Sequence, residues 1–335
     1  MKKITRGISK EFAEAFKKSE LYKLYEGNKE DLIIGVRNNY LNIYYNCDSI
    51  AKVKYNSRKE KITCEINTYY IDGQSRTFKD KDHLSILTPK EIKSKYCDIK
   101  KNSDKKAQKK SKNEKIAQSQ LYINNNSNKD SNWFCIDIEY VKAFKNQAEK
   151  QESKLSARFD IIAISKPKNN KYRVVLIELK YGSGSMGGKS GIYKHVRDFS
   201  EFTKQDFFES QLKGEIIHII ESQINLGIQV PFNLPLKNVL LDPEFFFITL
   251  DNNKKSDKGS TPKQTMAGYL FKDSRWGCKK LSTKYCVEED FGDVTKKSKN
   301  FNATFLFSKE KFDNDNKINI SDIIDGSQYE RVEPN

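Results

Sequence analysis

Asp160, Glu178 and Lys180 have the types and spacing of a reactive site. Asp160 lies inside the apolar run 159–164, and Glu178 and Lys180 sit at the end of a second apolar run, 174–179. Both runs are rich in β-branched residues. The Lys/Pro/Asn connector between them has turn chemistry, which predicts a hairpin of two interior strands. The two-residue period of a strand then places Glu178 and Lys180 on one face. Carboxylates in such runs are costly unless a cation or a hydrogen-bond network compensates them. A divalent metal between Asp160 and Glu178, with Lys180 beside it, is the simplest compensation. A plain structural ion pair is the alternative.

At these residues the sequence resembles the PD-(D/E)XK nuclease superfamily. The pattern reads as Asp160, seventeen intervening residues, then Glu178-Leu179-Lys180, with Phe159 where the family name has Pro. The resemblance covers residues 133–250. It implies an α+β or α/β fold with a mixed central sheet flanked by helices, a restriction-endonuclease-like core. It also implies a metal-dependent endonuclease that hydrolyses phosphodiester bonds of nucleic acid, DNA ahead of RNA, in a setting such as restriction or phage defence. Asp160 and Glu178 would hold Mg²⁺ or Mn²⁺, since oxygen ligands suit hard cations. Lys180 would position the attacking water or stabilise the transition state.

The superfamily commonly carries one more acidic residue. Glu139 and Asp137, in the expected strand 133–141, are the candidates, with a solvated edge carboxylate as the other reading. After Lys180, the glycine- and serine-rich run 181–191 lacks the lysine of a phosphate-binding loop at the required spacing and reads as a loop admitting a bulky substrate. The next helix is expected to start from a Ser190 cap, with Ile192, Val196 and Phe199 as its buried stripe. His195 borders that stripe. It either contacts a phosphate or the attacking water, or is a half-buried packing histidine.

These residues need elements to hold them. A second helix is expected over 207–226, a further core strand over 244–250, a polar loop over 251–263 and a last strand over 302–307. Upstream, residues 9–27 predict one amphipathic helix, and 32–37, 40–45, 50–55 and 62–70 predict an antiparallel meander divided by Asn-rich turns. Its tyrosines, Tyr40 to Tyr70, either pack or line a binding groove. Between 89 and 115 stand eleven lysines. That stretch reads as a solvated helix or a disordered arm that either follows phosphates or merely links domains. The expected organisation is an N-terminal β-rich recognition region (1–90), a basic, polar linker (91–131), the nuclease-like domain (132–310) and an acidic tail (311–335).

With 335 residues and 36% hydrophobic content the chain is long enough to bury one large core or two modest ones. A formal net charge of +16 points to a polyanionic partner. No apolar stretch approaches membrane-spanning length and no signal-peptide pattern follows the first methionine, so a cytoplasmic location is expected. The six cysteines form no C-x-x-C pair, which argues against structural zinc. A homodimer or a partner protein is compatible with the sequence.

Overall fold

The computed structural model of the chain describes residues 6–74, 83–109, 113–142, 158–181, 192–231, 239–250, 303–307, 319–324 and 330–332. The expectations for the loop 182–191 with Ser190, the loop 251–263, Cys278, Cys286 and most of the acidic tail lie outside these residues. The chain forms two compact units: Met1–Ser127 with Gly214–Leu234, and Asn128–Lys213 with Pro235–Asn335. The architecture is mixed α+β, with one antiparallel and one mixed sheet.

In the first unit the single helix expected over 9–27 is two, α1 (Lys10–Lys17) and α2 (Glu20–Glu26). Ser19 makes the break. Its hydroxyl donates to Phe16 O (2.7 Å) and accepts from Tyr22 N–H (3.2 Å), so it ends one helix and caps the next. Five strands follow: β1 (Leu32–Val36), β2 (Leu41–Tyr45), β3 (Asp48–Asn56), β4 (Lys61–Asn67) and, unexpected from the sequence, β5 (Leu84–Leu87). They pair antiparallel in chain order, as a meander. Alternate residues such as Ile34, Ile43, Val53 and Cys64 face Phe12 and Phe16 in one core. Tyr44, Tyr45, Tyr69 and Tyr70 are buried, so these tyrosines pack rather than line a groove.

The stretch 91–131 departs from the linker expectation. After α3 (Tyr69–Asp72) and α4 (Pro89–Ser94), it folds as α5 (Tyr96–Lys109) and α6 (Asn113–Ser127), and residues up to Ser127 belong to the first unit. Ile99, Ala107, Ala117 and Leu121 are buried. Several of its lysines are tied to carboxylates of the same unit. Lys93 meets Glu20 at 2.7 Å, Lys106 meets Asp48 at 3.2 Å, and Lys100 meets Asp31.

The second unit is a six-stranded sheet in the order β11-β10-β9-β8-β7-β6. Its strands are β6 (Trp133–Val141), β7 (Arg158–Ser165), β8 (Val174–Tyr181), β9 (Glu244–Leu250), β10 (Ala303–Phe307) and β11 (Glu330–Val332). β6, β7 and β8 pair antiparallel, β8–β9 and β9–β10 parallel, and β10–β11 antiparallel. Both faces of β8 are buried, which explains its apolar run 174–177 with Leu179 beyond Glu178. Helix α7 (Ile192–Lys204) lays Phe199 against Phe245, Phe247 and Phe159, with ring centroids 4.6, 5.1 and 5.4 Å away.

A π-helical turn (Phe208–Leu212) leads into α8 (Lys213–Asn225), from which Gly214 onward groups with the first unit rather than with the expected 132–310 domain. Ile219 and Leu226 complete the first unit's core, and Ser222 Oγ accepts from Ile8 N–H at 3.2 Å. The chain then returns to β9. A short α9 (Ile320–Ile324) precedes β11. Among the described residues no helix is long and apolar enough to cross a membrane.

Candidate active site

The hairpin expected between 159 and 179 is β7–β8, turned by Asn169 and Asn170 with left-handed φ of 53° and 59°. Its ladder runs from Ile164–Val174 to Ile161–Ile177 and stops there. One further step in the same register sets Asp160 across from Glu178, so the two carboxylates stand where the ladder ends. Asp160 Oδ2 accepts a hydrogen bond from Leu179 N–H at 2.7 Å, taking the place of the missing strand partner.

Glu178 is almost fully buried, as is Lys180, and the two-residue spacing brings them into contact as expected. Lys180 Nζ donates to Glu178 Oε1 at 2.5 Å. His195 joins them from α7, its Nε2 2.9 Å from the same oxygen. His195 and Phe199 are four residues apart and lie over one another on the helix. With Phe199 seated on Phe247, the strand neighbour of Glu178, His195 is carried onto Glu178 itself.

Of the two candidates for a further acidic residue, Glu139 lies next to Asp160 in the register of β6 on β7. The β6–β7 ladder pairs Ile138 with Ile161 and Tyr140 with Phe159, passing over Glu139 and Asp160 between them. Glu139 has φ 52°, a left-handed backbone that costs a non-glycine residue about 1 kcal/mol or more and tends to occur at functional sites. Its carboxylate is 4.0 Å from Arg158. Glu139, Asp160 and Glu178 therefore occupy one cross-strand row over three adjacent strands. Asp137 pairs with Ile162, and its Oδ1 accepts from its neighbour's Ile138 N–H at 2.9 Å.

The electrostatics of the two central carboxylates diverge. Asp160 keeps partial solvent access as a residue, yet its carboxyl group is enclosed. Burial first, and then the charges of Glu178 and Glu139, push it well above the usual carboxylate range against the opposing pull of Lys180. For Glu178 burial alone acts upward. The hydrogen bond from His195, the charge of Lys180 and that of a protonated His195 outweigh it and hold the group below its ordinary value.

Among the described residues no group of three or more His, Cys, Asp or Glu side chains is close enough, as placed, to hold a metal ion. The chemistry of the donors nevertheless suits a hard cation. Asp160, which burial and two like charges drive toward protonation, is the kind of carboxylate that a divalent charge would most relieve.

The sequence had pointed to Asp160, Glu178, Lys180 and His195, and the family resemblance to Glu139 or Asp137 as a further acidic residue. The sequence held no signal for the Leu179 N–H or for Arg158, whose roles depend on where the strands end. No protein-family model, curated protein or solved structure matches the chain.

Proposed function

We propose that the chain is a metal-dependent nuclease that hydrolyses phosphodiester bonds of nucleic acid, DNA ahead of RNA. The observation that carries the reading is the meeting of Asp160 and Glu178 at the end of the β7–β8 ladder, with Lys180 and His195 both on Glu178. Asp160, Glu178 and Glu139 would hold Mg²⁺ or Mn²⁺, which when bound lowers the pKa of a water ligand and neutralises phosphate charge. Lys180, held in place by Glu178, presents an ammonium to the attacking water or to a phosphate oxygen. His195 orients the Glu178 carboxylate and fixes α7 over it. The Leu179 N–H holds Asp160 Oδ2 in place.

A second reading is a nucleic-acid-binding protein without catalysis, and one observation favours it. Glu178 Oε1 already has two nitrogen partners, Lys180 Nζ and His195 Nε2, and Asp160 a backbone donor, as in a polar network that merely closes a hairpin end. Incubating the purified chain with supercoiled DNA, single-stranded DNA and RNA, in Mg²⁺, Mn²⁺ or EDTA, separates the two. Metal-dependent cleavage supports the first reading; binding without cleavage under every condition supports the second.

A further inference from the structure

The turn 166–171 lies at the other end of the hairpin from Asp160 and Glu178. Its residues, Lys-Pro-Lys-Asn-Asn-Lys, are exposed at every position. The left-handed pair Asn169 and Asn170 is what a two-residue type I′ turn requires. Lys168 and Lys171 close that turn with backbone hydrogen bonds of 2.9 and 3.0 Å. The turn is thus fixed in shape, and it stands two lysines directly across from one another. Lys166 adds a third, and its Nζ reaches Lys129 O at 3.2 Å, which brings a fourth lysine to the same end.

Like charges facing each other across a strand pair are destabilising unless something answers them. None of these four lysines pairs with a carboxylate among the described residues. The exposed Asp130, beside Lys129, and Asp242, beside the Leu241 whose N–H meets Tyr172 O, leave the end net positive. The first unit behaves differently: Lys93, Lys100 and Lys106 each meet an acidic residue there. The positive charge of the lysine-rich segment is thus partly neutralised within its own unit, whereas at the hairpin tip no carboxylate among the described residues answers it.

We infer that this hairpin end is a contact surface for the phosphate backbone of a nucleic acid, made by Lys166, Lys168 and Lys171. Lysines on a fixed turn suit regularly spaced phosphates, and the Asn169 and Asn170 amides add hydrogen-bond donors of the kind phosphate oxygens accept. The turn 166–171 itself carries no aromatic or large aliphatic side chain, and the exposed Leu241 beside it is a single apolar residue, unlike the continuous apolar face of a membrane-binding element. The surface rests on exposure and charge and does not require the candidate centre to be catalytic. Eight residue steps separate Asp160 from Lys168, at most roughly 26 Å at about 3.3 Å per step.

The test uses the full chain in EDTA, so that cleavage plays no part, with a fluorescent 20-base-pair DNA duplex titrated over a range of KCl concentrations. The triple variant Lys166→Gln, Lys168→Gln, Lys171→Gln is expected to weaken binding at least about tenfold. It should also flatten the slope of log affinity against log salt by about 2.7, at ~0.9 per lost phosphate contact. The Lys→Arg triple at the same positions keeps both affinity and slope. A matched change at exposed lysines of the first unit, Lys59→Gln, Lys61→Gln, Lys101→Gln, alters both far less. An unchanged slope, equal loss from the two Gln triples, or absence of duplex binding by the wild type would overturn the inference. So would loss of binding to anionic phosphatidylserine vesicles with duplex binding intact, which would assign the surface to lipid headgroups.

Discussion

His195 Nε2 lies 2.9 Å from Glu178 Oε1, so a hydrogen bond ties α7 to the central strand β8 at the atom that also receives Lys180. Removing it with His195→Ala leaves Glu178 with Lys180 alone. The expected loss of stability is about 1.5–3 kcal/mol, the range for a hydrogen bond to a charged group, read from the urea unfolding midpoint. His195→Gln, whose amide can donate to the same oxygen, should recover part of that loss and part of the cleavage rate.

Asp160→Asn separates the cost of the carboxylate from its use. Because the native environment raises the Asp160 pKa, the ionised group is worse placed in the folded chain than in the unfolded one, and it weakens the native state at neutral pH. The amide keeps an acceptor for Leu179 N–H without the charge. In EDTA the variant should melt about 2–4 °C higher, the shift that ~1 kcal/mol produces in a domain of this size. Added Mg²⁺ should stabilise the wild type and leave the variant unmoved, and the variant should not cleave.

Lys180→Ala has two expected consequences. It leaves the buried Glu178 without its nearest cation, a change that costs about 3–5 kcal/mol when a buried pair is broken. It should also depress single-turnover cleavage in Mg²⁺ far more than duplex affinity in Ca²⁺, because a group acting on the attacking water contributes little to ground-state binding. Lys180→Arg should not restore the rate, since a planar guanidinium does not replace a compact ammonium in a closed site. A fall in affinity that matched the fall in rate would make Lys180 a phosphate-binding lysine instead.

In the first unit two neighbouring lysines should behave oppositely. Lys106 is mostly buried, bonded to the Tyr70 hydroxyl at 2.6 Å and to Asp48 at 3.2 Å, whereas Lys105 is exposed. Lys106→Ala is expected to lower stability by roughly 3 kcal/mol. Lys105→Ala should stay within about 0.5 kcal/mol of wild type by chemical denaturation.

The parts of the fold that were legible in the sequence are those set by local pattern. The β1–β4 meander shows because short strand-forming runs are divided by Asn-rich turns, and the β7–β8 hairpin because two apolar runs flank Lys-Pro-Lys-Asn-Asn-Lys. Within the site, the Glu178–Lys180 contact follows from strand period alone. What was hidden depends on distant partners. Ser19 divides α1 from α2 by bonding both sides of itself, a choice that the continuing apolar stripe conceals. The lysines of α5 read as a solvated arm because nothing local announces that Lys100 meets Asp31 or that Lys106 meets Asp48. The return of residues 214–234 to the first unit is likewise a matter of packing, through Ile219 and Leu226. Glu139 and Asp137 could be separated only by the φ of 52° and by the register of β6 on β7.

The most direct measurement is nicking of supercoiled plasmid by the wild type and by Glu178→Gln, each in Mg²⁺ and in EDTA. The glutamine preserves shape and an acceptor for Lys180 while removing the charge a metal needs. The account predicts nicking by the wild type in Mg²⁺, none in EDTA, and a loss of about a hundredfold or more in the variant with its fold retained. A wild-type chain inert with every metal, or a variant that nicks at the wild-type rate, would contradict it.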